Sequence, residues 1–94
     1  MTTSRGLGTI ALMDRRKLLQ KITRSPTNVR FSDMVQLVQG FGFTLRRVGG
    51  SHHIFGHPGI PEQVNLQKVG ADAKPYQIRQ FLRIVERYNL TLQE

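Results

Sequence analysis

Apolar residues recur along this chain in two helical stretches, with an alternating stretch between them. From Ser32, the positions Met34, Leu37, Val38 and Phe41 fall at i, i+3, i+4 and i+7, the spacing that lines one face of a helix. Ser32 is the expected N-cap, Asp33 suits the positive helix end, and Gly40 and Gly42 mark the stop. A second helix follows Lys74-Pro75, with proline near the first helical position and Ile78, Phe81, Leu82, Val85 and Tyr88 on its apolar face. Arg79, Arg83 and Arg87 recur every four residues as a separate basic stripe. A solvated role is expected for Arg87, whereas Arg79 is expected nearer the chemistry. A shorter basic helix is predicted from Asp14 to Thr23, with Leu18, Leu19 and Ile22 on one side, closed by the turn cluster Ser25-Pro26-Thr27-Asn28. So short a helix needs the body of the protein to hold it.

Between the two longer helices, Phe43 to Val48 alternates and meets Gly49-Gly50, and a second extended run, Ser51 to His57, follows. Two such runs joined by Gly-Gly predict a hairpin with a primed turn. Pro58-Gly59-Ile60-Pro61 makes the next turn, and Gln63 to Val69 is the third strand. The order is α-α-β-β-β-α. Without βαβ alternation it predicts an α+β protein, a three-stranded antiparallel sheet covered by helices on one face. A two-residue turn at Gly49-Gly50 sets Arg47 opposite His52, Arg46 opposite His53 and Leu45 opposite Ile54. Phe43, Leu45, Arg47, His52 and Ile54 then share a face, and its apolar members predict that this face is buried, with Arg47 and His52 at its open rim. A longer loop would change the register.

The 94 residues fit one domain, expected over 13–94 with the added helix at 13–24. Residues 1–12, small and polar with one short apolar patch, are expected to form a flexible tail and do not have the pattern of a secretory signal. No apolar run approaches the roughly 20 residues that span a bilayer, so no membrane partner is expected. The absence of cysteine excludes disulfides, thiolate metal sites and a cysteine nucleophile, and fits a cytoplasmic protein. Fourteen Lys and Arg against six Asp and Glu give a net charge of +8, which attracts polyanions, nucleic acid above all. Residues 1–30 alone carry seven basic groups against one acid.

The chemistry concentrates in Arg46-Arg47-Val48-Gly49-Gly50-Ser51-His52-His53. A histidine beside an arginine suits RNA cleavage, in which a proton leaves a ribose 2′-hydroxyl and a phosphorane must be stabilised. The guanidinium binds phosphate bidentately, and Gly49, Gly50 and Ser51 offer N–H groups and a hydroxyl to the same anion. A histidine in a strand is also often merely structural. No cofactor is expected, and no metal: neighbours His52 and His53 point to opposite faces, and His53 and His57 lie roughly 13 Å apart at about 3.3 Å per residue, too far for one tetrahedral ion. Neither a Walker loop nor a Ser/His/Asp triad is present.

The run Gly40-Phe41-Gly42-Phe43, Arg46-Arg47, Gly50-Ser51-His52-His53-Ile54-Phe55 and His57-Pro58-Gly59 resembles the heart of HicA toxins, the RNA-cleaving members of HicA–HicB toxin–antitoxin pairs. The resemblance covers roughly residues 32–88, with a family core expected over 32–90. It implies a fold like a double-stranded RNA-binding domain and a metal-independent endoribonuclease cleaving mRNA. It also implies His52 as the catalytic histidine and a HicB-like antitoxin partner. The RNA-binding surface is expected to comprise Arg46, Arg47, Gly50, Ser51, His53, Lys74 and Arg79, in a toxin that is monomeric when free. Three features depart from the family pattern. Where many members carry a second histidine, around the third strand, this chain has Asn65-Leu66-Gln67. The closing helix is longer, and a basic helix is added in front. The alternative is a non-catalytic RNA-binding module of the same fold.

Overall fold

A computed structural model describes residues 15–93; the expected tail at 1–12 and the start of the first helix at Asp14 lie outside the described residues. Helix α1 is described over 15–24. It is part of the core: Ile22 is fully buried, with Leu18 and Leu19 packed partly against the same cluster. The Ser25 N–H donates to the Lys21 carbonyl (2.8 Å), and Pro26 follows.

Helix α2 spans Phe31–Gly40 and buries Phe31, Met34, Leu37 and Val38. It begins one residue before the expected cap. Arg30 is the N-cap, without a side-chain cap, and Ser32 sits inside the first turn. The reason is tertiary. The Phe31 N–H donates to the Ala71 carbonyl and the Ala73 N–H to the Val29 carbonyl, both at 2.9 Å, so a bridge between Arg30 and Asp72 fixes where the helix leaves the sheet. Asp33 lies in the first turn, as expected.

The sheet runs in the order β1 (Thr44–Gly49), β2 (His52–Gly56), β3 (Val64–Val69) and β4 (Asp72–Ala73), every pair antiparallel. The three expected strands are present; the two-residue β4 is an addition that alternation could not show. Helix α3 spans Pro75–Arg87, with Pro75 in its first turn and Gln77, Ile78, Phe81 and Ile84 buried. Phe55, Val64 and Leu66 from the sheet meet Met34, Leu37 and Val38 of α2 and Ile78 and Phe81 of α3 in one core. Phe81 takes both Phe41 and Phe43 edge-on, at ring-centroid distances of 5.5 and 6.0 Å. The architecture is the expected α+β layout of a double-stranded RNA-binding domain, with helices on one side of the sheet.

The hairpin departs from its expected register in two ways. The turn residues are Gly50-Ser51, one position later than Gly49-Gly50, so Gly49 pairs with His52 and Val48 with His53. Gly50 takes a φ of +59°, the positive angle that a primed turn requires at its first position and that glycine adopts without strain. In addition, a bulge between Leu45 and Arg47 leaves Arg46 without a cross-strand partner, and Arg47 pairs with Ile54. One extra residue resets the alternation of β1. Phe43 is buried before it, but Arg47 beyond it no longer shares Phe43's side.

Candidate active site on the open face of the sheet

Cross-strand partners share a face, so the register sorts the side chains. His53, Phe55, Val64 and Leu66 look toward the helices, and the last three are buried. His52, Ile54, Asn65, Gln67 and Arg47 look the other way. The sequence placed His52 and Arg47 together, and they do share a face, but it is the open face and not the buried one. The bulge and the later turn are the cause.

On that face His52 is exposed and its Nδ1 lies 3.3 Å from Asn65 Oδ1. Asn65 occupies the strand position beside Gln67, directly across from Ile54, where it reaches the histidine on the neighbouring strand. An amide oxygen accepts, so this contact suits the tautomer with N–H at Nδ1, which leaves the lone pair on Nε2. Arg46 and Arg47 are both exposed. The Arg46 Nε–H donates to Thr44 Oγ1 (3.3 Å), and its guanidinium lies over Gly56, where a Cβ would stand 2.9 Å from Cζ. Gly56 pairs with Thr44 and follows Phe55, so its missing side chain would point to the open face; the glycine is the seat on which Arg46 lies. The bulge therefore brings two consecutive arginines to the same side as His52, which regular alternation forbids.

His53 is held on the other face. Its ring meets Phe31 edge-on at 4.7 Å, and its Nδ1 lies 3.3 Å from the Ser51 carbonyl. That carbonyl also accepts from the Lys68 N–H (3.1 Å), which ties the Gly50-Ser51 turn to β3. His57 is likewise engaged: its ring packs on Phe43 at 5.1 Å, and its Nδ1 accepts the Gly59 N–H at 2.9 Å. Among the described residues, no three His, Asp, Glu or Cys side chains gather as metal ligands do.

Lys74 and Arg79 are not brought to this cluster. Lys74 caps α3 just after β4, two strands from His52. Arg79 is exposed on α3, which packs on the opposite side of the sheet. Arg87 is not merely solvated. Its Nη1 lies 2.7 Å from both carboxylate oxygens of Glu62, and these bonds, with one to Tyr88, hold the Glu62 carboxyl below its ordinary range. The same partner raises Arg87 and Tyr88 above theirs. The residue that sequence reasoning missed is Asn65. Its one signal was its place in the third strand, where the resembling family often has a second histidine.

The family model for HicA toxin of bacterial toxin–antitoxin systems matches residues 31–86 of this chain. The chain belongs to the HicA toxin family. No match was found among curated proteins or among solved structures. The HicA match runs from the first residue of α2 almost to the end of α3, so it contains the whole sheet, the bulge and His52. Helix α1 lies before it, yet contributes Ile22 to the core. Membership makes the protein a toxin of toxin–antitoxin type, and HicA toxins pair with an antitoxin. No helix among the described residues is long and apolar enough to cross a membrane.

Proposed function

We propose that this HicA-family toxin is a metal-independent endoribonuclease that cleaves mRNA in the cytoplasm, with His52 as the proton-transfer group. The observation that carries the reading is the open-face cluster: His52, with Nδ1 on Asn65 and Nε2 left for substrate, on the face that Arg46 and Arg47 share. Nε2 takes the proton of a ribose 2′-hydroxyl, and the freed oxygen attacks the adjacent phosphorus. The P–O bond to the next nucleotide's 5′-oxygen breaks, and that oxygen takes a proton from water, while the proton on His52 Nε2 is returned to solvent. The products are a 2′,3′-cyclic phosphate and a 5′-hydroxyl. Arg46 and Arg47 hold the phosphate and offset the charge that grows on its oxygens. The Gly50 and Ser51 turn adds donors at the near end of the hairpin.

In this reading the family's antitoxin is a small acidic HicB-like protein that covers His52 and the arginines of the monomeric toxin, excluding RNA. A complex that cuts RNA at the rate of free toxin refutes that occlusion. The nuclease reading itself is tested with purified wild type and His52→Ala on RNA in EDTA, with end-group analysis of the products. Loss of a proton-transfer group lowers the rate about 10²–10⁴-fold. If folded His52→Ala cuts at the wild-type rate, the assignment is wrong. If neither protein cuts but both bind RNA, the protein is an RNA-binding module.

A further inference from the structure

The family match begins at residue 31, after α1, yet α1 is built into the fold. Ile22 is fully buried, Leu18 and Leu19 pack against the same core, and Arg15 Nη1 donates to the Gln93 carbonyl beyond α3 (3.4 Å). A groove between α1 and α2 is lined by Arg15, Lys17, Leu18, Lys21, Asp33 and Gln36. A second groove, with Leu19 and Thr23 on one wall and Leu82 and Val85 on the other, separates α1 from α3. The helix therefore lies against both of the others, on the side of the sheet away from His52.

Residues 15–30 include Arg15, Arg16, Lys17, Lys21, Arg24 and Arg30, and no Asp or Glu. Ile22 sets the inward direction of α1. At roughly 100° per residue, Lys17, Gln20, Lys21 and Arg24 fall on the opposite side, and all four are exposed. At 1.5 Å per residue, Lys17 to Lys21 rises roughly 6 Å and Lys21 to Arg24 about 4.5 Å. Like charges at these spacings repel, so the helix itself gains nothing from the row. Lys21 Nζ donates to the Asn28 carbonyl (3.2 Å), which positions that ammonium without neutralising it. Asp33 is the one acid lining the groove below. We propose that the outward side of α1, carrying Lys17, Lys21 and Arg24, is a second RNA-backbone contact, which holds phosphates of the substrate remote from the bond that is cut. A row of cations with no aromatic or apolar side chain among them suits phosphates and reads no base. Protein interfaces, in contrast, are depleted in Lys and centred on apolar residues. Because α1 and His52 lie on opposite sides of the sheet, this contact raises affinity for long RNA and leaves the chemical step alone. The proposal rests on the nuclease reading for RNA as the ligand, but not on the role of His52.

The test combines Lys17→Gln, Lys21→Gln and Arg24→Gln in the full chain and compares it with its parent. Both carry His52→Ala so that the RNA survives, and circular dichroism is the folding control. Affinity is read by fluorescence anisotropy across a salt series. On an RNA of about 30 nucleotides the triple variant should lose about 2 units of log–log slope, at roughly 0.7 per phosphate on a single strand, and about 10- to 100-fold in affinity near 0.1 M salt. Should the triple variant not fold, Lys17→Gln alone should lose about 0.7 units. With His52 restored, the triple variant should cut the long RNA with KM raised by a similar factor and kcat within about twofold, the signature of lost uniform binding. It should cut a trinucleotide as wild type does, since the smallest extent of the fold is 27 Å and so short an RNA stays on the open face. Unchanged slope and affinity on the long RNA overturn the proposal. An equal loss on the trinucleotide overturns it as well, because it shows a bulk effect of charge and not a contact. Unchanged RNA affinity with weakened antitoxin binding assigns the surface to a protein partner instead. If no RNA is cut, anisotropy still decides: a slope lost with the three cations supports the α1 contact while the nuclease reading fails.

Discussion

Replacing each of the two adjacent histidines by alanine should produce opposite phenotypes. His52 is exposed and makes one long hydrogen bond, 3.3 Å to Asn65, so its loss should move stability by no more than about 0.5 kcal/mol, as for most surface changes. His53 is half-buried, edge-on to Phe31 at 4.7 Å, with Nδ1 near the Ser51 carbonyl. An aromatic pair is worth about 0.5–1.5 kcal/mol and a hydrogen bond a similar amount, the latter discounted here for its length. His53→Ala should therefore cost about 1–2 kcal/mol. In a domain of this size each kcal/mol moves Tm by about 4–8 °C, so the expected drop is roughly 4–16 °C. On activity the ranking inverts. His52→Ala should lose about 10²–10⁴-fold in cleavage, and His53→Ala, measured well below its own Tm, should lose far less. Thermal melts by circular dichroism and cleavage assays on the same preparations give both columns. If His53→Ala melts with wild type, or if it loses as much cleavage as His52→Ala at a temperature where it is folded, the division of the two rings between the faces of the sheet is wrong.

Three further outcomes follow from the site. RNA affinity should fall with salt at about one unit of log–log slope per phosphate contact, and Arg46→Ala and Arg47→Ala should each reduce that slope; an unchanged slope in both removes the arginines from the phosphate site. Asn65→Asp keeps an acceptor at His52 Nδ1 but adds a negative charge that favours imidazolium, so the acid limb of the pH–rate profile should move to higher pH, whereas a limb that stays put shows that Asn65 does not orient the ring. Glu62 is held below its ordinary value of 4.5 by Arg87, so its contribution to stability is fully present above the unfolded-state value and is lost as pH falls through the folded one. The difference in Tm between wild type and Arg87→Gln, small because the pair is exposed, should shrink on acidification below about pH 4.5, and a difference that grows there contradicts the pairing.

Both longer helices were legible because their apolar stripes are regular and because Pro75 opens α3. The α2 start was misplaced because a good capping residue, Ser32, competed with a long-range bridge from Arg30 to Asp72, far along the sequence, that leaves no local trace. Strand β4 was invisible for a similar reason. Two residues carry no alternation, and Asp72 and Ala73 become a strand only because β3 and the segment at Arg30 lie on either side of them. Asn65 was legible as a strand residue but not as a partner of His52, since a contact across thirteen positions depends on the register of β2 with β3. Arg46 and Arg47 were legible as candidates, but not their common side, because a bulge has no signature in the pattern of apolar and polar residues.

The error about which face carries His52 has a particular physical source, and the correct answer was present in the same few residues. The alternation was anchored on Phe43 and Leu45, which precede the bulge, and was carried through an insertion that inverts it. Leu45, counted as core, is in fact 46% exposed. Phe55 is a safer anchor. It stands on the same strand as His52 with no irregularity between them, and it is fully buried. Residues three apart on a strand must face opposite sides. The spacing Ser-His-x-x-Phe, at Ser51, His52 and Phe55, thus has a meaning independent of any resemblance. The phenylalanine fixes the strand to the core, the second histidine falls on the core side with it, and the first is turned outward beside the turn. A histidine that must transfer a proton to a polymeric substrate needs that outward position, and its ring still needs orientation. In this chain Asn65 supplies the orientation from the next strand, with no side chain borrowed from the core.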